Sequence, residues 1–149
     1  MSFSKDVTLY DRDFLIWTEQ QAEFLKKGYW EKLDIENLVE ELETFGRSEQ
    51  KELGRYLQVL LMHLLKCQYQ PEKRTKSWDI TISNCRDKIQ DCLSDTPSLK
   101  RFLEDSEWVN KHYRRAKRDA AKETEKPREN FPLEMPFTIE QVVDSSFLI

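Results

Sequence analysis

At 149 residues the chain is sized for one domain, long enough to remove roughly two-thirds of its unfolded surface from water. Charged residues make up 35% of it and only three glycines occur, a balance that suits long amphipathic helices and argues against a β-sandwich. The net charge of −4 is unevenly divided, with twelve acidic and six basic side chains in residues 1 to 50 against sixteen and eighteen in residues 51 to 149. Pairing of the two halves within one fold is the simplest use of that asymmetry; pairing across a dimer, or a basic face for a partner, are the alternatives.

The pattern predicts an all-α protein: one domain over residues 1–149, a bundle of five or six helices around a central apolar helix at about 48–67, closed by an extended Pro-rich C-terminal strap. The N-terminus MSFSKDVTLYDRDF has no apolar signal core, and no run approaches the length needed to cross a bilayer. A cytoplasmic protein without membrane contact is the expectation.

Asp11 is the predicted cap of a first helix to about Lys27, with Phe14, Trp17, Phe24 and Leu25 in a loose stripe, and Gly28 is its stop. Asp34 then caps a second helix whose apolar face is Ile35, Leu38, Val39, Leu42 and Phe45. Gly46 is expected to end it and Ser48 to cap the next, giving a tight hairpin or corner between them. In the central helix Leu53, Leu57, Leu60, Leu61, Leu64 and Leu65 recur at spacings of three and four, and Val59 and Met62 widen the stripe, so its C-terminal half should be buried on most sides.

The basic loop Gln68 to Lys76 contains Pro71. Ser77 is the predicted cap of a fourth helix facing inward through Trp78, Ile82, Cys85, Ile89 and Cys92 or Leu93. Thr96-Pro97 restarts helix to about Thr124, broken near Asp105-Ser106, with Leu99, Phe102, Leu103, Val109, Tyr113, Ala116 and Ala120 inward. Prolines at 127, 132 and 136 exclude regular helix from Lys126 to Phe137, yet Phe131, Leu133, Met135 and Phe137 predict a strap laid on the bundle. Thr138 and Gln141 fit a capping box for a last short helix, with Val142 and Val143 inward and Phe147 and Leu148 docking the tail.

Cys67, Cys85 and Cys92 form an odd set with no pair at zinc-knuckle or redox-dithiol spacing, and are read as small core residues in a reducing compartment. The acidic ridge Glu36, Glu40 and Glu43, with Glu41 on its flank, is the one arrangement that could share a divalent metal. No facing Glu-x-x-His pair accompanies it, so a solvated or salt-bridged face is preferred. His63, at the edge of the apolar stripe, reads as a packed residue bonded to a neighbouring helix through Glu40 or Glu41, since no nucleophile can be assigned to it.

Arg47, Arg74 and Arg86 read as ion-pair staples between the acidic second helix and the bundle. The loop cations Lys73, Arg74 and Lys76, beside Tyr69 and Trp78, are a weaker candidate for gripping phosphate. Lys111, Arg115, Arg118 and Lys122 fall at spacings of four, three and four, a stripe flanked by Arg114 and Lys117 that could follow a nucleic-acid backbone or an acidic protein surface, though a solvated or self-complementary face is preferred. Asp119 and Glu123 interrupt it, and His112 sits in the same basic neighbourhood.

Several phrases occur together and in order: Tyr10, Asp13-Phe14 and Trp17; Gln21-Ala22; Leu33-Asp34; Asn37-Leu38-Val39-Glu40-Glu41; Gly46-Arg47-Ser48-Glu49; His63-Leu64-Leu65-Lys66; Gln70-Pro71; Ser77-Trp78; Thr81-Ile82; Pro97-Ser98-Leu99; Phe131-Pro132. Over nearly the whole chain they resemble domain-of-unknown-function family 29, small bacterial proteins frequent in cyanobacteria. The resemblance implies a mostly helical fold and a bacterial, cyanobacterial source, and it carries over no catalytic residue. Met135 stands where the family pattern has a cysteine before Pro136, and Ile149 where a proline is common.

There is no Gly-rich phosphate loop, no His-Glu-x-x-His and no serine elbow. The reading is therefore a non-enzymatic protein-interaction module, self-associating or bound to a protein partner, with no cofactor and no resident metal. Nucleic-acid binding through 111–122 is the alternative, and a metal-dependent hydrolase using Glu36, Glu40 and His63 the second.

Overall fold

The computed structural model describes residues 8–147, and within them the chain is all-α, with seven α-helices, four single-turn 3-10 helices and no strand. Two α-helices of four residues each raise the number above the five or six expected. The expected docking of Leu148 lies outside the described residues. The fold groups into two compact units, one ending at Arg47 and one beginning at Ser48.

In the first unit, α1 (Leu9–Arg12) is capped by Thr8 and α2 (Phe14–Lys27) by Asp13, whose carboxylate accepts from the Ile16 amide at 3.1 Å. Asp11, the predicted cap, instead pairs with Thr8: a four-residue helix intervenes, and the cap of the longer helix moves two residues on. Gly28 ends α2 as expected, in the left-handed region at φ 71°, where a side chain would be strained. A 3-10 turn (Trp30–Lys32) leads to Asp34, which accepts from the Asn37 amide and opens α3.

Helix α3 runs unbroken over Ile35–Tyr69, so the predicted hairpin between a second and a third helix does not form. Gly46 and Ser48 are helix-terminating types, but neither adopts a terminating conformation; Thr44 and Arg47 lie in the same helical ladder, with Arg47 reaching back to Glu40 and Glu43. A cap residue acts as one only where the backbone leaves the helix.

In the second unit, the later turns of α3 have the predicted leucine stripe at their centre: Leu53, Leu57, Leu60, Leu61, Leu64 and Leu65 are all buried, as are Lys66 and Cys67. Against them pack α4 (Lys76–Asp95) through Ile82, Cys85 and Ile89, and α6 (Ser106–Thr124) through Trp108, Val109, Tyr113, Ala116 and Ala120. Thr75, not Ser77, caps α4. The Thr96-Pro97 restart gives a 3-10 turn and then α5 (Lys100–Leu103), and the break foreseen near Asp105 is its cap of α6. The proline-rich segment contains one 3-10 turn (Arg128–Asn130) and buries Phe131 and Phe137, whereas Leu133 is exposed. Tyr113 donates to the Pro132 carbonyl at 2.6 Å, and the Thr138–Gln141 capping box opens α7 (Ile139–Val143).

Candidate functional site

The first unit is organised around Trp17, which lies on the apolar stripe of α2 and is buried. Its indole N–H donates to the Asp34 carboxylate at 3.0 Å, the same carboxylate oxygen that accepts from the Asn37 side chain at 2.8 Å. One turn along α2, the buried Gln21 accepts from the Asp34 amide at 2.8 Å. These donors, Asn37 first, hold the Asp34 carboxyl below its ordinary range. Tyr10 packs edge-on against Trp17 with ring centres 4.8 Å apart and donates its hydroxyl to Glu41, a bond that pushes the phenol up to about 12. Sequence reasoning found the cap at Asp34 and missed this network. The available signal was Gln21, a polar residue in phase with Trp17, which on a buried face needs a partner.

Beside that polar node the apolar side chains are left open. Ile35, Val39, Leu42 and Phe45, read from the sequence as a core face, are exposed, with Leu42 and Phe45 at 69%. On α2 the expected stripe buries only Trp17, while Phe14, Leu15, Ile16 and Leu25 face outward. Phe14 and Leu25 of the one helix and Leu42 and Phe45 of the other border a groove of about 220 Å³ between α2 and the leading turns of α3. Phe14, Ala22 and Leu25 line one wall and Leu38, Leu42 and Phe45 the other; Glu41 is the only charged lining residue. A helical apolar period predicts burial only where another element is available to cover it.

The sequence-derived polar candidates do not assemble into one centre. Glu36, Glu40 and Glu43 are exposed; Glu40 and Glu43 pair with Arg47 at 3.5 and 3.8 Å, and Glu41 is engaged by Tyr10. His63 does not bond to Glu40 or Glu41: its Nδ1 meets the Val59 carbonyl of its own helix at 2.9 Å, and burial lowers its pKa. Among the described residues, no three His, Cys, Asp or Glu side chains lie close enough to hold a metal ion.

The basic stripe of α6 is partly consumed within the fold. Lys111, Arg114, Arg115 and Lys122 are exposed, whereas Arg118 is half-buried and pairs with Asp119 at 3.1 Å, and Lys117 lies over the Tyr113 ring. Asp119 also accepts from Gln58 of α3 at 2.9 Å, and Glu123 takes Lys66 at 2.5 Å, so the interleaved acids serve packing. His112 is buried rather than part of the basic face, its Nδ1 on the Trp108 carbonyl at 2.8 Å.

Of the three arginines read as staples, Arg47 pairs with Glu40 and Glu43 of its own helix. Arg74 pairs with Asp79 of α4 at 2.7 Å, and Lys76 is the exposed first residue of that helix. Arg86 is buried and donates to the backbone carbonyls of Val142 and Phe147 at 2.9 and 3.1 Å, so it anchors the C-terminal segment through peptide groups. Both arginines border a hollow of about 300 Å³ whose other walls include Cys67 and Ile82. Burial pushes the thiols of Cys67, Cys85 and Cys92 up, away from the reactive thiolate.

No helix among the described residues is long and apolar enough to cross a membrane. The model of a protein family described as Domain of unknown function DUF29 matches residues 9–148, the same family that the ordered phrases resemble. No curated protein and no solved structure matches the chain.

Proposed function

The chain belongs to the DUF29 family, and from that premise we propose that it works as a non-enzymatic protein-interaction module whose contact surface is the first unit. The observation that carries this reading is the apolar groove between α2 and the start of α3, with exposed Leu42 and Phe45 on its edge. Large apolar side chains left in water over two adjacent helix faces favour coverage by another molecule, at roughly 25 cal/mol for each Å² removed from water. The polar node beneath, Trp17 to Asp34 to Gln21, holds the two helices in register and supplies a preformed surface. Light scattering over a range of protein concentrations, with capture from the native cell on immobilised protein, tests the reading. Wild-type protein is expected to associate with itself or with a captured protein, and Leu42→Asp to abolish that association without loss of helix. Association unaffected by Leu42→Asp and Phe45→Asp would place the contact elsewhere.

A second reading, nucleic-acid binding through α6, is favoured by Lys111, Arg114 and Arg115, exposed side chains that make no ion pair with any described residue. It predicts affinity for duplex DNA or RNA that falls steeply with salt and drops on Arg114→Glu with Arg115→Glu. Binding that is absent or indifferent to salt removes it.

A further inference from the structure

We propose that the hollow between the last turns of α3, α4 and the C-terminal segment binds a small organic carboxylate that carries a short apolar chain. The site lies wholly in the second unit and does not depend on the interaction reading above. Helical phase builds its walls. Asp79, Ile82, Ser83 and Arg86 stand at i, i+3, i+4 and i+7, a single face of α4, and Leu64 and Cys67 share one face of α3. Arg74 of the connecting loop, with Ser145 and Phe147, completes a hollow of about 300 Å³, at the lower end of the range for small-molecule sites.

Arg86 decides the sign of the ligand. It is 5% exposed, yet among the described residues no carboxylate lies within ion-pair distance of it. Its partners are peptide carbonyls, those of Val142, Phe147 and, at 3.5 Å, Gln141. Carbonyl dipoles satisfy hydrogen bonds but leave the charge unneutralised, whereas a buried arginine is ordinarily paired. Burial pushes its pKa down, and the attraction of Asp144 does not restore it. One N–H on each terminal nitrogen has no acceptor among the described residues.

The rest of the wall narrows the class. Arg74 adds a second cation, its Nε held by Asp79 at 2.7 Å, so the described walls carry two positive charges and one negative. One carboxylate closes that balance and matches the fork of a guanidinium. Inorganic phosphate brings a further negative charge toward Asp79 and makes no use of the apolar wall of Leu64, Ile82 and Phe147. An alkyl chain laid on that wall leaves water and adds to the affinity.

Proton–nitrogen NMR shift mapping on the full chain tests the inference, with hexanoate, acetate, hexylammonium and inorganic phosphate as probes. Hexanoate is expected to bind saturably, at least about tenfold more tightly than acetate, and to move the Arg86 Nε–H resonance. Hexylammonium is expected to move nothing. Ser83 is an exposed residue of the wall, and Ser83→Asp differs from Ser83→Asn only in charge. The aspartate variant should bind hexanoate at least about fivefold more weakly than the asparagine variant, with circular dichroism checking that both are folded.

Equal binding of acetate or hexylammonium, tighter binding of phosphate, or equal affinity in the two Ser83 variants overturns the carboxylate class. Hexanoate shifts centred on the groove of the first unit rather than on Arg86, or no saturable binding, remove the site altogether.

Discussion

Gly54 of α3 faces His112 of α6 so closely that a Cβ built on Gly54 would lie 2.3 Å from the His112 Nε2. The ring is held on its other side, its Nδ1 on the Trp108 carbonyl and its centre 4.2 Å from the centre of the tilted Trp108 ring. Gly54→Ala would ordinarily strengthen a helix by about 1 kcal/mol. Here overpacking, typically about 1 to 3 kcal/mol, opposes and outweighs that gain. The expected result is a lower urea midpoint, with His112→Ala costing less in the Gly54→Ala background than alone. Additive effects in that double-mutant cycle would show that the contact is not rigid.

Protonation of the same histidine opposes folding. Burial lowers the His112 pKa against the bond to the Trp108 carbonyl, and Lys111 and Arg115 push it down further. His63 is also lowered by burial, helped by Lys66 and opposed by its bond to the Val59 carbonyl and by Glu123. Each imidazole therefore takes up its proton at lower pH in the folded chain than in the unfolded one, where the value is 6.5. Stability from these groups is complete above that unfolded value and is lost as pH falls below it. Urea midpoints should be flat above about pH 7 and decline toward about pH 5, and His112→Gln should flatten part of the decline. An unchanged slope in that variant would assign the decline to other groups.

The leucines from Leu53 to Leu65 and the inward face of α4 were legible because apolar period and burial coincide wherever a second helix covers the stripe. The same period on Ile35, Val39, Leu42 and Phe45 misleads, because periodicity records which face is apolar and not whether anything covers it. Arg86 and Lys66 were illegible for a different reason. Each is buried by partners far off in sequence, Val142 and Phe147 for one and Glu123 with the Trp78 ring for the other. Tertiary partners of long cationic side chains leave no local pattern.

Arg86 should hold the last helix in place. Its Nε donates to Val142, a residue of α7 that is itself fully buried, so Arg86→Gln removes charged donors from peptide carbonyls that then lack partners. The expected cost is about 2 to 3 kcal/mol, concentrated on residues 138–147. Hydrogen exchange should show amides of α7 losing protection before those of α6. Uniform loss across both helices would mean that the segment and the bundle unfold as one cooperative unit.

Asp34 is tested through the indole it accepts from. Asp34→Ala removes the cap of α3 and leaves the buried Trp17 N–H without its acceptor, for an expected loss of about 2 kcal/mol. Asp34→Asn keeps a side-chain oxygen and should retain much of that stability. The readout is Trp17 fluorescence in a background where Trp30, Trp78 and Trp108 are phenylalanine. Equal losses in the two variants would mean that the negative charge, rather than the hydrogen-bonding oxygen, is what the node requires.

Gly46 offers the converse of Gly54. It lies inside α3 rather than at an end, and a Cβ placed on it meets nothing within 4 Å. Its backbone is ordinary right-handed helix, so the flexibility that makes glycine a stop elsewhere serves no turn here and only enlarges the entropy of the unfolded chain. Gly46→Ala should therefore stabilise the protein by about 0.5 to 1 kcal/mol, seen as a higher urea midpoint with unchanged slope. A destabilising Gly46→Ala would require the chain to bend at this position in solution, restoring the helix stop that the residue type alone suggested.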